Sequence, residues 1–541
     1  MSDAPGTVRA AAGMGVITAI SRVVGFVRVL VVASVLGIGY LGNAFQSANS
    51  LSNVLFELLA AGALSAVLVP AFVDLLDAGD ERGAEEVAGG VLGLALAGLG
   101  AISLVGVVAA PWLARLLTLG VDAEHAADQR ELVTFLLRFF VPQVVLYAAG
   151  TVATGVLYAK RRFLPTAAAP IGNTIVMVAA LVAFAAVAGS DPGLDLGVTE
   201  RVLLVVAGTG GVVAFVGILL VACRTTGFRL RPRWPGRDPR VGRVARQAGW
   251  GVVLHTSAGA ILGGAIVFGG GVPGGVVAYQ TAWVFFLAPY GILAQPIHTA
   301  ILPELVTEAR DGLDRYRGSV RWAIERMALT VLPVAVVLTA FAAPSMRIVA
   351  EVVGETDTGA RLLAAALASL GVGLLPYSAF LMLARAYYAL GDSRTPGLAS
   401  IAVAVVGLVA MAVATPFTDG AARIGALGLA HSLAYAVGMV VLLVGLGRRA
   451  GGSVYPAIVG AMVAASVVGG LALWWAGDRL LAGREGPVAD LVVTAGLAAV
   501  GALALLAATR ATGLRGRLTV RDAGGTGDHA MVPDDAEALL P

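Results

Sequence analysis

The sequence predicts an all-α polytopic membrane protein, and two observations support this prediction. Of its 541 residues, 58% are hydrophobic and only 13% are charged, and the mean hydropathy is +0.87. A soluble globular domain carries about 25% charged residues. The apolar residues form blocks of roughly 20 to 25, the length at which a helix crosses the hydrocarbon core of a bilayer. We therefore expect a bundle of about fourteen transmembrane helices.

Hydrophobic blocks between polar breaks mark the expected spans. They lie at 13–38, 46–72, 86–111, 132–157, 166–189, 201–223, 248–269, 275–300, 323–344, 360–386, 397–416, 424–446, 455–477 and 488–509. The first block is too long for the apolar region of a signal peptide, so it is expected to stay as a span. Basic residues concentrate in alternate loops, which by the positive-inside rule predicts that both termini are cytoplasmic.

An internal repeat divides the first twelve spans into two sets of six. Pro70 ends the second span and Pro303 ends the eighth, an offset of 233 residues. Tyr158 opens "YAKRRFLP" and Tyr388 opens "YALGDSRTP", an offset of 230 residues. Because six is even, the two sets are expected to be parallel repeats related by an axis along the membrane normal. Such a pair around a central cavity is typical of an alternating-access transporter.

The repeat predicts the domain organisation. The predicted parts are an N-lobe at 1–223, a basic cytoplasmic linker at 224–247, a C-lobe at 248–446, two final spans within 447–509, and a disordered cytoplasmic tail at 510–541. The linker is rich in arginine, proline and glycine. Its charge suits anionic lipid headgroups, at about 1 kcal/mol per residue, but equally suits a topology signal alone.

Four arginines lie inside predicted spans beyond the first four residues of the span. Arg138 and Arg385 lie near span ends, so their side chains are expected to extend to the membrane interface. Arg22 and Arg28 lie deep in the first span, about 9 Å apart along the helix and about 120° apart around it. Gly25 between them allows a helix or ligand to approach closely. A central arginine costs at least about 2.5 kcal/mol, so we expect a partner or ligand to offset it.

The second span carries a polar stripe that could face these arginines. On a helical wheel the stripe falls within about 80°, with two more polar residues on its flank. The stripe is Gln46, Asn49, Asn53 and Glu57, and the flanking residues are Asn43 and Ser50. We expect Glu57 to pair with one of the arginines when the cavity is empty. The remaining positive charge suits phosphate oxygens, although such residues can also simply hold helices together.

No pattern in the chain favours an enzyme. We find no HExxH, no nucleophile elbow, no phosphate-binding loop and no paired catalytic carboxylates. The single cysteine, Cys223, excludes a disulfide framework and is expected to be packed. His255, His298 and His431 lie singly in spans and are expected to be packed or interfacial. We therefore predict a transporter.

Several stretches resemble a known family. "SRVVGFVRVLVVASVLG" and "NAFQSANSLSNVLFELLAAGALSAVLVPAF" are similar to the first two helices of the MurJ (MviN) family of peptidoglycan lipid II flippases, in the MOP exporter superfamily. "YAKRRFLPTAAAPIGNT", "APYGILAQPIHTAILPEL" and "YYALGDSRTP" resemble later segments of that family. The resemblance covers essentially the whole chain. It implies two six-helix lobes and two final helices that form, with the C-lobe, a groove for a polyprenyl tail.

The resemblance also implies residue roles. Arg22 and Arg28 match first-helix arginines that line the family's cavity and are implicated in binding the diphosphate-sugar headgroup. Other positions depart from the family pattern: Asn43 replaces an acidic residue, Phe56 and Glu57 replace an arginine pair, and Val284 replaces a cavity arginine of helix eight. The cavity is thus less basic than the family pattern.

Together these features predict a multi-pass flippase of the bacterial plasma (inner) membrane that acts in cell-wall biogenesis. It is expected to move an undecaprenyl-diphosphate-linked precursor from the inner to the outer leaflet. Arg22 and Arg28 would hold the diphosphate, and Asn43, Gln46, Asn49, Asn53 and Glu57 would supply hydrogen bonds and charge balance. Expected partners are this anionic glycan lipid, membrane lipids and cell-wall synthesis proteins, without nucleic acid.

No cofactor is expected. The driving force is either the membrane potential or a coupling cation or proton at Glu57. Three alternatives stay open: a flippase for another lipid-linked oligosaccharide, a MATE-like drug/cation antiporter, and a scaffold without transport. The antiporter predicts an acidic or aromatic central pocket and no need for the last two helices.

Overall fold

The computed structural model describes residues 4–56, 68–189, 192–234 and 257–481, together with 492, 495 and 496. Within these ranges the chain is helical and contains no strand. Nine of the described helices are long and apolar enough to cross a membrane, or ten if one bent pair forms a single span. The predicted all-α membrane class is confirmed. The count of fourteen is not, since 57–67 in the second span and nearly all of 488–509 lie outside the described residues.

The N-lobe is built from ten helical segments. They are α1 (Ala4–Leu36), α2 (Tyr40–Phe56), α3 (Val69–Asp77), α4 (Glu81–Val108), α5 (Ala110–Leu117), α6 (Ala126–Phe140), α7 (Gln143–Ala159), α8 (Phe163–Ala188), α9 (Val198–Val205) and α10 (Gly211–Thr225). A π-helical turn at Val206–Gly210 joins α9 to α10 without a break in the span. The chain therefore crosses the lobe back and forth with short connections.

The second part of the chain continues in the same way. Its helices are α11 (Ser257–Gly269), α12 (Gly275–Pro289), α13 (Gln295–Asp311), α14 (Leu313–Ala340), α15 (Ala342–Val352), α16 (Asp357–Val372), α17 (Leu374–Ala389), α18 (Arg394–Ala414), α19 (Gly420–Arg449) and α20 (Ala457–Leu481). A π-helical turn at Tyr290–Ala294 joins α12 to α13, and α16 meets α17 at a bend of 46°. The final helix, α20, packs on α14.

The two lobes repeat the same local geometry. Helix α8 packs on α10 as α18 packs on α19, and α3 packs on α7 as α13 packs on α17. The turns after α7 and α17 both contain a left-handed residue, Arg161 with φ 57° and Gly391 with φ 74°. In both turns the next amide donates to the carbonyl five residues earlier, at 2.7 and 3.0 Å. These positions differ by 230 residues, the spacing expected from the repeat.

The described part of the linker, 224–234, lies against α4. The backbone N–H of Arg233 donates to the carbonyl of Gly89 at 2.9 Å. A Cβ at Gly93 would lie 1.9 Å from the Arg233 carbonyl oxygen, so only glycine allows this approach. We call this end of the helices, which also carries the α7–α8 and α17–α18 turns, the linker end.

The cysteine and the histidines in spans were expected to be packed, and those that the structure describes are buried. Cys223 is a buried free thiol. His298 and His431 are buried at 0% and 3% exposure. His255 lies outside the described residues.

Candidate substrate site

Arg28 is half-buried on α1, about 12 Å before the helix ends at Leu36. Its described electrostatic neighbour is the Tyr147 hydroxyl on α7. Among the described residues, no carboxylate forms an ion pair with Arg28. The guanidinium therefore keeps several N–H donors for an acceptor brought by a ligand.

Tyr147 joins Arg28 to the polar stripe. Its hydroxyl donates to Asn53 Oδ1 at 3.1 Å. Three helices of the N-lobe thus converge here, because Arg28 lies on α1, Asn53 on α2 and Tyr147 on α7. Tyr147 is absent from the predicted site. Its signal in the sequence is weak: a single polar-tipped aromatic residue in an otherwise apolar span.

The rest of the stripe is partly engaged between the lobes. Ser50 accepts a hydrogen bond from Gln280 Nε2 on α12 at 2.6 Å. Gln46 is buried and Asn49 is half-buried. The structure therefore places Asn53 beside Arg28, whereas Ser50 lies at the contact between the lobes.

Asn43 lies between the lobes. It is fully buried, and its Nδ2 donates to the Val272 carbonyl at 2.8 Å. Its Oδ1 accepts from the Val276 N–H at 3.0 Å, at the first turn of α12. In this structure the Asn43 amide thus binds C-lobe backbone, and its predicted contact with substrate stays a prediction.

Other contacts close the same end of the molecule. Glu355 accepts a hydrogen bond from the Ile38 N–H. Phe26 on α1 meets Phe285 on α12 edge to face, with ring centroids 4.9 Å apart. A Cβ at Gly274, which has φ 74°, would lie 2.2 Å from the Ile38 carbonyl oxygen, so only glycine fits there. We call this end, opposite the linker end, the closed end.

An exposed polar cluster also lies at the closed end. The Tyr40 hydroxyl donates to Asp122 Oδ2 at 2.6 Å, and His125 Nδ1 lies 2.7 Å from Asp122 Oδ1. The hydrogen bond from Tyr40, followed by that from His125, lowers the pKa of Asp122. The hydrogen bond to Asp122 raises the pKa of His125. The cluster ties the start of α2 to the loop before α6.

Two of the predicted site residues lie outside what the structure describes. These are Glu57 and the side chain of Arg22, so the expected ion pair stays a prediction. The side chain of Phe56 is likewise outside the described part. Val284 is half-buried on α12.

The two arginines expected at the interface differ from each other. Arg138 is exposed, and its expected contact with the membrane interface stays a prediction. Arg385 instead lies beside the Tyr290 hydroxyl and near His298, and its Nη1 is buried. The physical reason is helix direction. Side chains lean toward the N-terminus of their helix, and α17 begins inside the bundle, so Arg385 points inward.

The C-lobe carries aromatic residues where the N-lobe carries the polar stripe. At the offset of 233, Gln46, Asn53 and Glu57 of the stripe correspond to the aromatic Tyr279, Phe286 and Tyr290, and Asn49 corresponds to Ala282. The flanking Ser50 corresponds to Trp283. Phe286 packs edge to face on Tyr377, the counterpart of Tyr147, with centroids 5.3 Å apart. Trp283 and Tyr435 both lie 4.9 Å from the His431 ring. This face therefore forms a packed aromatic cluster.

Comparison with known proteins identifies the family. The family described as "Lipid II flippase MurJ" matches residues 32–482. The chain is 27% identical to a "Probable lipid II flippase MurJ" of Rhizobium tropici over 389 residues, 71% of each chain. It is 26% identical to the "Lipid II flippase MurJ" of Burkholderia cenocepacia over 491 residues, 85% of this chain and 90% of that one.

Solved structures show the same fold. "Lipid II flippase MurJ, inward closed conformation" superposes with a TM-score of 0.72 at 16% identity, covering 92% of this chain and 99% of that one. An inward-facing MATE multidrug transporter of the MOP superfamily has a TM-score of 0.62 at 16% identity, covering 80% of this chain and 98% of that one. Because the family match spans most of the sequence, and the helices and their packing agree with it, this chain belongs to the MurJ family of lipid II flippases.

Proposed function

We propose that this chain carries lipid II, an undecaprenyl-diphosphate-linked peptidoglycan precursor, from the inner to the outer leaflet of the bacterial inner membrane. Membership of the MurJ family makes it a transporter and not an enzyme. The observation that carries the proposed mechanism is Arg28, a half-buried guanidinium with no described carboxylate partner. A guanidinium suits the paired oxygens of a diphosphate. Arg22 on the same helix is proposed as the second anchor.

The linker end is proposed to face the cytoplasm. Its turns and linker carry Lys160, Arg161, Arg162, Arg224, Arg229, Arg231, Arg233, Arg394, Arg448 and Arg449. Positive charge in short loops favours the cytoplasmic side. Both chain termini are then expected to be cytoplasmic.

Alternating access follows from where the lobes touch. The contacts of Asn43 and Glu355 join the lobes at the closed end. A headgroup would enter from the linker end and reach Arg28 while this end is shut. Outward release then requires the Asn43 hydrogen bonds to break, because they bind α2 to the start of α12.

The polyprenyl tail is proposed to lie outside the cavity, along α20. This helix packs on α14 and leaves Val468, Leu471 and Trp475 exposed. The apolar tail would stay in lipid contact there, so only the polar headgroup needs to cross. We expect cell-wall synthesis proteins to be partners in supply or use of the substrate.

The driving force is proposed to act without a cofactor. The membrane potential supplies about 2.3 kcal/mol per elementary charge per 100 mV. A cation or proton bound at Glu57 is the other proposed source. Flipping measured with an imposed potential, and then with an imposed pH gradient, separates them.

Lipid II flipping in proteoliposomes tests the function. We expect Arg28→Ala to lower the flipping rate at least tenfold, because a hydrogen bond to a charged group contributes about 1.5 to 3 kcal/mol. Arg22→Ala should act in the same direction. Arg138→Ala is the matched control, since Arg138 is an exposed arginine at a span end. Wild-type rates in both Arg28→Ala and Arg22→Ala would overturn the assignment.

A second candidate substrate is another lipid-linked oligosaccharide. The observation that favours it is the less basic cavity that the resemblance implies, with Phe56, Glu57 and Val284 in place of arginines of the family. Parallel flipping assays discriminate between the two candidate substrates. One assay uses lipid II, and the other uses a lipid-linked oligosaccharide that has the diphosphate but lacks the peptide. Faster flipping of the peptide-free lipid would favour the second candidate.

A further inference from the structure

Arg385 is a second partly buried arginine inside the membrane region, on the opposite lobe from Arg28. It lies on α17, one turn before the helix ends at Ala389. No described carboxylate forms an ion pair with it, and its Nη1 is buried without a hydrogen-bond partner. An unpaired buried cation in a membrane protein is costly, and it commonly marks a substrate or ion path.

The groups around Arg385 are polar and close together. The guanidinium interacts electrostatically with the hydroxyl of Tyr290, the first residue of the π-helical turn between α12 and α13. His298 on α13 lies near it and keeps a buried Nδ1 without a partner. Tyr388, also near Arg385, is exposed. The cluster therefore lies between α13 and α17, at the linker end.

The chemistry of this cluster lacks an acceptor. A guanidinium has five N–H donors and no acceptor. The Tyr290 hydroxyl beside Arg385 can also donate. Both groups can therefore donate to an anion that a ligand brings, and no described carboxylate forms an ion pair with Arg385. Phosphate oxygens are the acceptors that fit a planar guanidinium best.

The repeat shows that Arg385 is not part of the shared packing of the lobes. At the offset of 230, its N-lobe counterpart is Gly155 on α7. The N-lobe contact between α3 and α7 is equivalent to the C-lobe contact between α13 and α17. Only the C-lobe has a cationic residue at this position of the second helix. Arg28 lies about 12 Å from the closed end, so the two arginines lie at different depths.

We propose that Arg385 and Tyr290 form a second diphosphate-binding site in the C-lobe, which holds the lipid-linked substrate as it enters from the linker end, before the diphosphate reaches Arg28. This inference rests on the proposed function. Arg385 would then be a binding residue outside the first two helices. The substrate diphosphate would contact the C-lobe first and the N-lobe afterwards.

Binding to the full chain in nanodiscs tests the site. The probes are undecaprenyl diphosphate, undecaprenol, phosphatidylglycerol and inorganic pyrophosphate, each measured for wild type, Arg385→Gln, Arg385→Lys, Arg28→Gln and the control Arg138→Gln. We expect Arg385→Gln to weaken undecaprenyl diphosphate about tenfold or more and to leave undecaprenol unchanged. Arg385→Lys should recover part of the affinity for undecaprenyl diphosphate, because it restores the positive charge but not the planar bidentate donors of a guanidinium.

The outcomes separate the failures. If wild type does not prefer undecaprenyl diphosphate to undecaprenol, the proposed function fails. If Arg28→Gln weakens undecaprenyl diphosphate while Arg385→Gln binds as wild type does, only the C-lobe site fails. Equal losses of undecaprenol and undecaprenyl diphosphate in Arg385→Gln would show a packing role and overturn the site. If Arg385→Gln weakens phosphatidylglycerol as much as undecaprenyl diphosphate, the site binds anionic lipids in general. If it weakens only inorganic pyrophosphate, the site binds free phosphate. Either result would overturn the substrate assignment.

Discussion

The two lobes use the same helix face for opposite chemistry. On α2 the face carries Asn53, which binds Tyr147 through a hydrogen bond. On α12 the equivalent position is Phe286, which packs on Tyr377, the equivalent of Tyr147. The backbone geometry is thus kept while the contact changes from polar to apolar. At this pair of positions the repeated fold therefore serves hydrogen bonding in the N-lobe and apolar packing in the C-lobe.

The consequence is a difference in how each lobe should tolerate change. Phe286 has no exposed surface, and it contacts Trp283, Tyr290 through Tyr377, and His431 in one aromatic cluster. Asn53 is only half-buried, and its partner Tyr147 lies near the Arg28 guanidinium, which has no carboxylate partner among the described residues. Mutation of Phe286 should mainly change stability, whereas mutation of Asn53 should mainly change transport.

The largest expected effect is on the stability of the C-lobe. Phe286→Asn should lower the free energy of unfolding by about 3 kcal/mol or more, because it opens a cavity and buries an unpaired amide. Unfolding in mixed detergent micelles measures this. A loss below 1 kcal/mol would break the comparison, since the cluster would then not be a packed core.

The reciprocal change sharpens the comparison. Asn53→Phe should leave unfolding within about 1 kcal/mol of wild type but reduce lipid II flipping about tenfold, because it removes the Tyr147 contact and fills space beside Arg28. Asn53→Ser, which keeps a hydroxyl acceptor, is the matched control and should retain more activity. Full flipping in Asn53→Phe would contradict the N-lobe role.

A smaller effect is expected at the contact between the lobes. Asn43→Ala leaves the Val276 N–H unpaired only when the lobes are closed, whereas the Val272 carbonyl keeps its bond from the Gly275 N–H, so the change should favour opening by about 2 kcal/mol, roughly thirtyfold. Spin labels at Leu119→Cys and Phe417→Cys, both at exposed positions of the closed end, report the distance in a Cys223→Ala background.

The neighbouring residue supplies the control for that measurement. Ser47 is equally buried on α2, but its hydroxyl has no partner. Ser47→Ala should therefore leave the distance distribution unchanged. Equal distributions in Asn43→Ala and wild type would show that these hydrogen bonds do not hold the end closed.

The smallest effect concerns pH at the exposed cluster. His125 has a raised pKa, so its contribution is complete below about pH 6.5 and is lost as pH rises through the folded value. Asp122 has a lowered pKa, so its contribution is complete above about pH 4 and is lost as pH falls. His125→Ala should lower thermal stability slightly at pH 5.5 and not at pH 8.5. The same small loss at both pH values would exclude a charge effect.

The membrane class, the repeat and much of the N-lobe site could be predicted from local pattern. Arg28 is visible because a charge stands out in an apolar block, and Asn53 because polar residues recur at helical spacing. Tyr147 could not be predicted, since its partner lies on a helix 94 residues earlier. The neighbours of Arg385, the Tyr290 hydroxyl and His298, could not be predicted either, because its sequence position shows depth but not which helices its side chain meets.

Asn43 is a second residue whose partners the sequence could not predict. As a polar residue on the flank of the stripe it suggested a substrate contact, yet its amide is bound to the start of α12, 229 to 234 residues away. The sequence by itself determined that the chain is a helical membrane transporter with arginines in its first span, because composition, periodicity and buried charge depend on local order. Only the tertiary structure decided which polar groups meet ligand, partner helix or opposite lobe, because those contacts depend on how separate spans pack.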